Sequence, residues 1–265
     1  MLFCFRYYLF LPLEKSLTHS SFQNRNLNEL LITYATLMPE SFSMKKILFV
    51  AIYSFSFLSS RAQTDSLLNE VRTKLKAGIS VSTILIDKKY LSIHSVTEFR
   101  ELIKANSNSS ILKITTGEEP GKKIRVLGTV KNSTGKPVAG ALVYLYQTDS
   151  KGWYAADAPH VLQFEGDIRH ARLFGYVKTD SSGQFEMHTV KPSGYPKSDL
   201  PAHIHVHVMA NGYRSYGTEF LFDDDERLVG EIRRQSVQNQ FLISKPEKTK
   251  VPFEQQFSYS MILIK

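Results

Sequence analysis

The segment Pro201-Ala-His203-Ile-His205-Val-His207-Val-Met209 holds three of the chain's eight histidines. In a strand successive side chains alternate faces, so His203, His205 and His207 project to one side. Ala202, Ile204, Val206 and Val208 project to the other, into a core. Two imidazoles two residues apart on a rigid strand are spaced to share one metal ion. A solvent-facing strand that carries histidine is the alternative, and the spacing alone does not choose between them. Of the other histidines, His188 alternates with Phe185 and Met187, which puts it toward solvent; His160 and His170 fall in a loop, and His94 reads as structural. Two tyrosines occupy constrained loops. Tyr154 lies in Gly152-Trp153-Tyr154, and Tyr195 in Lys191-Pro-Ser-Gly194-Tyr195-Pro196. Taken singly, each is a loop aromatic that packs on a core. The one cysteine, Cys4, excludes an intramolecular disulfide and a thiolate metal site.

The elements that must position these residues change character along the chain. Leu67, Leu68, Val71 and Leu75 share a helical face. Ser95 and Glu98 have capping-box spacing ahead of a second apolar stripe, Val96, Phe99, Leu102 and Ile103. Val81 to Ile86 fits a strand or a helix. From Gly121 onward, 11 of the 14 glycines recur at turn spacing up to Gly217. The runs between them, rich in β-branched and aromatic residues, predict strands over Ile124–Val130, Ala141–Gln147, Leu173–Thr179 and Gln184–Val190. Ala202–Met209, Tyr216–Phe222 and Phe257–Ile264 read the same way, and Leu228–Pro252 as a partly helical excursion. The implied fold class is mainly β: an antiparallel β-sandwich over 120–265, with a short helical N-terminal segment over 63–119.

Composition is that of a globular chain: 265 residues, 42% hydrophobic, 22% charged and a formal net charge of +8. Much of the charge excess belongs to a leader. Residues 44–62, MKKILFVAIYSFSFLSSRA, combine a Lys45-Lys46 n-region, a short apolar run and small residues at Ser60 and Ala62. That order is a secretory signal peptide, too short for a stable membrane anchor. It makes residues 1–43 an upstream extension from a mis-assigned start, with Met44 the natural first residue. The mature chain begins at Gln63 and is exported, to the periplasm or beyond. It has no cysteine, so any metal must be held through nitrogen and oxygen, and its net charge falls to +5. That charge is spread out with no basic run, which excludes a nucleic-acid role.

Taken in order, the motifs resemble the intradiol ring-cleavage dioxygenases, the catechol and protocatechuate type. Gly128-Thr-Val-Lys-Asn-Ser-Thr-Gly135-Lys-Pro137-Val-Ala-Gly-Ala141 resembles the family's opening hairpin. Val143-Tyr-Leu-Tyr-Gln-Thr-Asp149 then leads to Gly152-Trp-Tyr154. Thr179-Asp180-Ser-Ser-Gly183-Gln-Phe185 runs on to Tyr195-Pro196, and Pro201-Ala-His203-Ile-His205 closes the set. The resemblance implies a non-haem Fe(3+) cofactor bound by Tyr154, Tyr195, His203 and His205. It implies cleavage of a catechol-type or larger phenolic substrate by O2 between the two hydroxylated carbons, with Tyr195 the catalytic tyrosinate that leaves the metal and takes up a proton. Hard phenolate oxygen suits a hard ferric ion, whose charge lets the phenol bind deprotonated. A homodimer is the assembly the family implies.

Two positions depart from the family pattern. Leu200 stands where the well-studied members carry arginine before Pro-Ala-His-Ile-His, and Thr218-Glu219 stands where they carry Thr-Gln. Loss of a guanidinium beside a developing anion is worth roughly 2–3 kcal/mol of transition-state stabilisation. Trp153, Arg169, Arg172, Leu200 and Glu219 are therefore the candidate substrate-binding residues, with Lys197 and Arg214 as further cations near the site. Two other readings compete with an Fe(III) dioxygenase. One is a non-catalytic exported β-sandwich binding module, which needs none of the four ligands together. The other is a zinc or copper protein on His203, His205 and His207.

Overall fold

The structure, a computed structural model, describes residues 61–155, 171–250 and 252–265. The expected leader 1–43, nearly all of the signal segment 44–62, His160, Arg169 and His170 lie outside the described residues. No helix among the described residues is long and apolar enough to cross a membrane.

Residues 61–76 form helix α1, burying Leu68 and Val71. Val81–Leu85, left open by sequence, is the short helix α2, whose Ser80 hydroxyl accepts from the Thr83 amide and caps its first turn. A 3-10 turn over Lys88–Ile93 follows, then α3 over Thr97–Asn106. The expected Ser95–Glu98 capping box is not made: Val96 is the N-cap, with no side-chain cap bond, and Glu98 pairs with Arg72 of α1 instead.

Among the described residues nine strands make two sheets. The first holds β1 (Ile111–Lys113), β5 (Gln184–Val190), β2 (Lys123–Asn132) and β9 (Gln255–Leu263), in that order. The second holds β4 (Leu173–Lys178), β3 (Leu142–Gln147), β6 (His203–Met209), β7 (Tyr216–Phe222) and β8 (Leu242–Ser244). The pairs β2–β5, β3–β4, β3–β6 and β6–β7 are antiparallel, as the sequence predicts. The sheets are mixed, because β1, β8 and β9 each join an edge in parallel. The excursion over Leu228–Pro252 contains α4 (Gly230–Gln238) and then β8.

The inner faces meet through stacked rings. Phe220 of β7 lies 4.0 Å from Tyr259 of β9, and Phe222 lies 4.7 Å from Phe257. The Tyr259 hydroxyl donates to the Leu221 carbonyl, tying the sheets together. The first sheet alternates buried and open positions, whereas β3 and β4 are buried along almost their whole length on both faces. A strand buried on both faces needs a second cover, and residues 63–119 supply part of it. Phe99 of α3 packs edge-on against Phe174, and Arg100 lies 3.5 Å over the same ring. Buried Arg100 donates to the carbonyls of His94 and Ala171 and to the Tyr144 hydroxyl, so its charge is fully solvated by protein oxygen.

His94 is structural, as expected. Its ring stacks 5.1 Å from Phe99, and Nδ1 donates to the Arg172 carbonyl at 2.9 Å. Burial pushes its pKa down to about 4. The unfolded chain, with an ordinary imidazole near 6.5, then takes up its proton first as pH falls. Stability contributed by neutral His94 is full above about pH 6.5 and is lost progressively toward pH 4. Urea titrations at pH 7.5 and pH 5 should differ by about 2 kcal/mol from this group alone. A His94→Leu variant should show a correspondingly shallower pH slope, and an unchanged slope would contradict the assignment.

Candidate metal centre

The outer face of the second sheet carries the sequence-selected residues. Antiparallel register sets Tyr146 of β3 opposite His205 of β6, and His205 opposite Glu219 of β7. His203 opens β6 and is buried; His205 is half-buried; His207 is exposed, opposite Gly217. The two tyrosines arrive from loops at the same end of the sheet. Tyr154 follows β3 and is 2% exposed, and Tyr195 follows β5 and is 6% exposed.

Backbone chemistry holds the two loops together. The Asp149 carboxylate accepts from the amides of Lys151 and Trp153, closing a tight turn before Tyr154. The Asp149 carbonyl accepts from the Ser193 amide, and the Thr148 hydroxyl donates to the Ser193 carbonyl. At the contact itself stands Gly152, with φ +82°, where an added Cβ would lie 2.3 Å from the Gly194 carbonyl oxygen. Only glycine allows that approach and that conformation together. Gly194 is equally confined, since a Cβ there would lie 2.1 Å from the Leu200 carbonyl oxygen and 2.4 Å from an Arg227 nitrogen. Arg227 donates to the carbonyls of both Tyr195 and Leu200 at 3.3 Å, bracing the loop from behind.

Four donor atoms thereby close a ring. The Tyr154 and Tyr195 hydroxyl oxygens are 2.9 Å apart, and Tyr195 Oη is 3.1 Å from His203 Nε2. His203 Nε2 is 3.2 Å from His205 Nε2, which is 2.9 Å from Tyr154 Oη. Adjacent ligands on an ion with bonds of about 2.0–2.1 Å stand at this kind of separation. The Pro201 carbonyl, 2.8 Å from His203 Nδ1, can only accept a hydrogen bond. It fixes the hydrogen on Nδ1, so Nε2 presents its lone pair to the ring. Burial raises the Tyr154 pKa far above the ordinary phenol value, and the neighbouring Tyr195 adds to the rise. A phenol so placed ionises only against a strong cation. Two hard oxygens and two imidazole nitrogens on one centre fit a ferric ion.

The other candidates fall in different places. Trp153 is half-buried, and the Lys151 ammonium lies 5.1 Å over its ring. The Arg172 guanidinium is held by both Glu119 carboxylate oxygens, at 2.7 and 2.8 Å, and lies 3.7 Å from Asp149; its charge braces the Tyr154 loop. Leu200 is 48% exposed beside the Tyr195 loop. Lys197 is exposed, and Arg214 lies in the β6–β7 turn at the opposite end of the sheet. Glu219 Oε1 stands 3.5 Å from His205 Nδ1. His207 is outside the ring of donors and stacks near Tyr144 and Tyr146 instead, which removes the three-histidine arrangement. His188 is not turned to solvent: it contacts Glu186 and lies edge-on to Phe253. Sequence reasoning missed Tyr146, whose ring stacks on His205 at 4.4 Å and 14°. Its position two residues after Tyr144 on a strand was visible, but its pairing with β6 was not. Asp149-Ser-Lys-Gly152 was legible as a turn, and the structure forms it, whereas Arg227 carried no local signal.

The Dioxygenase family model matches residues 97–264, which include all four donors. Catechol 1,2-dioxygenase 1 of Acinetobacter lwoffii is 32% identical over 132 residues, covering 44% of this chain and 40% of that protein. Chlorocatechol 1,2-dioxygenase of Rhodococcus opacus is 28% identical over 128 residues, covering 42% of this chain and 48% of that protein. The chain thus spans less than half the length of either relative. Among solved structures, the dioxygenase domain of a carbohydrate-binding fusion from Streptomyces sp. SirexAA-E is similar with a TM-score of 0.43 and 23% identity, over 57% of this chain and 85% of that one.

The Gly152–Gly194 contact yields a prediction. Gly152→Ala should lower stability by about 1–2 kcal/mol through its left-handed backbone, and should part the two hydroxyls. Metal titration with a parallel thermal melt should show a folded protein with metal affinity reduced at least tenfold. Full affinity in the variant would refute the role given to this contact.

Proposed function

The chain belongs to the intradiol ring-cleavage dioxygenase family, and from that membership we propose that it is an Fe(III)-dependent enzyme that uses O2 to cleave a catechol-type ring between its hydroxylated carbons. The observation that carries this reading is the closed ring of Tyr154, Tyr195, His203 and His205 donor atoms at 2.9–3.2 Å. In this reading those four residues hold the ion. A bound ferric ion supplies a Lewis acid and a template for the substrate's two oxygens.

The chain's own residues take distinct parts. Tyr195, on the loop braced by Arg227, accepts a substrate hydroxyl proton at its Oη as the substrate binds. Tyr154, the more deeply buried phenol, stays in place. His203 and His205 are neutral donors, which leaves the anionic charge to the oxygen ligands. Trp153 and exposed Leu200 give the approach to the site an apolar border. That border, with no arginine at position 200, suits a larger phenolic better than a small catechol. Export belongs to the same proposal, and the signal-like segment 44–62 supports it.

Purified protein should bind iron and show a visible tyrosinate-to-iron charge-transfer band that weakens in Tyr154→Phe. O2 uptake with a panel of catechols should yield muconate-type diacids, and Tyr195→Phe should slow turnover by roughly 100-fold. A protein that stays colourless and iron-free after reconstitution would sink the proposal.

A further inference from the structure

Glu219 faces the outer nitrogen of one of the two histidines in the donor ring. His203 Nδ1 meets the Pro201 carbonyl at 2.8 Å, whereas His205 Nδ1 meets the Glu219 carboxylate at 3.5 Å. We infer that Glu219 is a positioning residue for the metal centre: its carboxylate holds the hydrogen of His205 on Nδ1 and so aims the Nε2 lone pair into the ring of donors. The inference deepens the ferric reading and rests on it for its metal-bound measurement only.

The placement is built into the sheet. His205 and Glu219 are directly opposed in the antiparallel β6–β7 ladder, and such pairs bring side chains of one face together. On the other flank, Tyr146 stacks on the His205 ring and restricts its rotation. Ring orientation is thus set by stacking, and the choice of nitrogen by the carboxylate. The 3.5 Å separation is long for a hydrogen bond, and a small turn of the unbranched Glu219 side chain closes it. The carboxylate approaches the imidazole nitrogen turned away from His203 Nε2 and Tyr154 Oη. It stands behind His205 rather than beside the donor atoms, although His203, His205 and Glu219 have ligand atoms within 4.8 Å of one another. A carboxylate behind a metal-bound imidazole fixes its tautomer and makes it a stronger donor, and loss of such a partner weakens metal binding by 10–100-fold. The two histidines then differ: His203 leans on a neutral carbonyl and His205 on an anion.

Two measurements on the full chain test this with Glu219→Ala and Glu219→Gln. The first is nitrogen-resolved NMR of the imidazoles in metal-free protein, which reads the tautomer without reference to iron. His205 should carry its hydrogen on Nδ1 in the wild type and in Glu219→Gln, whose amide oxygen still accepts. It should shift toward the Nε2–H form in Glu219→Ala. The second is Fe(III) release to a chelator, followed through the charge-transfer band. Release should be about 10–100-fold faster in Glu219→Ala, and largely restored in Glu219→Gln with the band displaced. A His205 tautomer that ignores Glu219→Ala overturns the inference. So does a Glu219→Gln protein that loses iron as fast as Glu219→Ala with its tautomer intact, because that marks Glu219 as a direct ligand. Wild-type protein that takes up no iron defeats the ferric reading, while the tautomer still decides the role of Glu219.

Discussion

The centre depends on a contact between two backbones. Gly152 and Gly194 stand so close that a methyl group at Gly152 would lie 2.3 Å from the Gly194 carbonyl oxygen. Because the loops touch there, the tyrosines that follow each glycine converge until their hydroxyls are 2.9 Å apart. Neither loop holds that shape alone. Asp149 folds the first through the amides of Lys151 and Trp153, and its carbonyl anchors the second through Ser193. Arg172 and Glu119 steady Asp149 from below, and Arg227 ties the carbonyls of Tyr195 and Leu200. Asp149, Arg172, Glu119 and Arg227 are thus committed to holding the two loops in place.

That geometry sits beside a stretch of the sheet's outer face that is lined with aromatic rings. β3 presents Tyr144 and Tyr146 outward, and β4 presents Phe174 and Tyr176 into the same region. Left open, such a face would be a large exposed patch. The N-terminal helical segment covers its β4 side, with Phe99, His94 and Arg100 packed on Phe174. The donor ring covers the β6 side. The helices therefore belong to the conditions under which the centre stays buried, and burial is what makes the unassisted Tyr154 phenol so reluctant to ionise.

Much of this was legible in the chain. Seven strands could be located because each carries β-branched or aromatic residues, and most are bounded by a glycine-containing turn. The strands that escaped, β1 and β8, are three residues long and pair in parallel at sheet edges, where no hairpin turn announces them. The parallel partnership of β9 with β2 joins Gln255 to Ile124 across most of the sandwich, and no local pattern encodes it. The Ser95–Glu98 spacing misled because a tertiary partner, Arg72, took the carboxylate a local cap would have used. At the centre, residue types and motif order pointed to Tyr154, Tyr195, His203 and His205. Register was not readable, and register alone brings Tyr146 and Glu219 to His205.

The two departures from the family pattern shift charge in one direction. Position 200 lacks a guanidinium, and position 219 carries an added carboxylate close to His205. Glu219 is also one of the charges that oppose ionisation of Tyr154. Around a ring of two phenols, both changes favour a highly charged cation at the centre and disfavour extra negative charge on an incoming ligand. One cation near position 200, Arg227, reaches it from behind and donates to two carbonyls. Its positive field still falls across the loop that carries Tyr195, but its hydrogen bonds are directed at backbone rather than at a bound oxygen. Leu200, 48% exposed, therefore offers a hydrocarbon surface beside the Tyr195 loop, where the family pattern has a fixed positive charge.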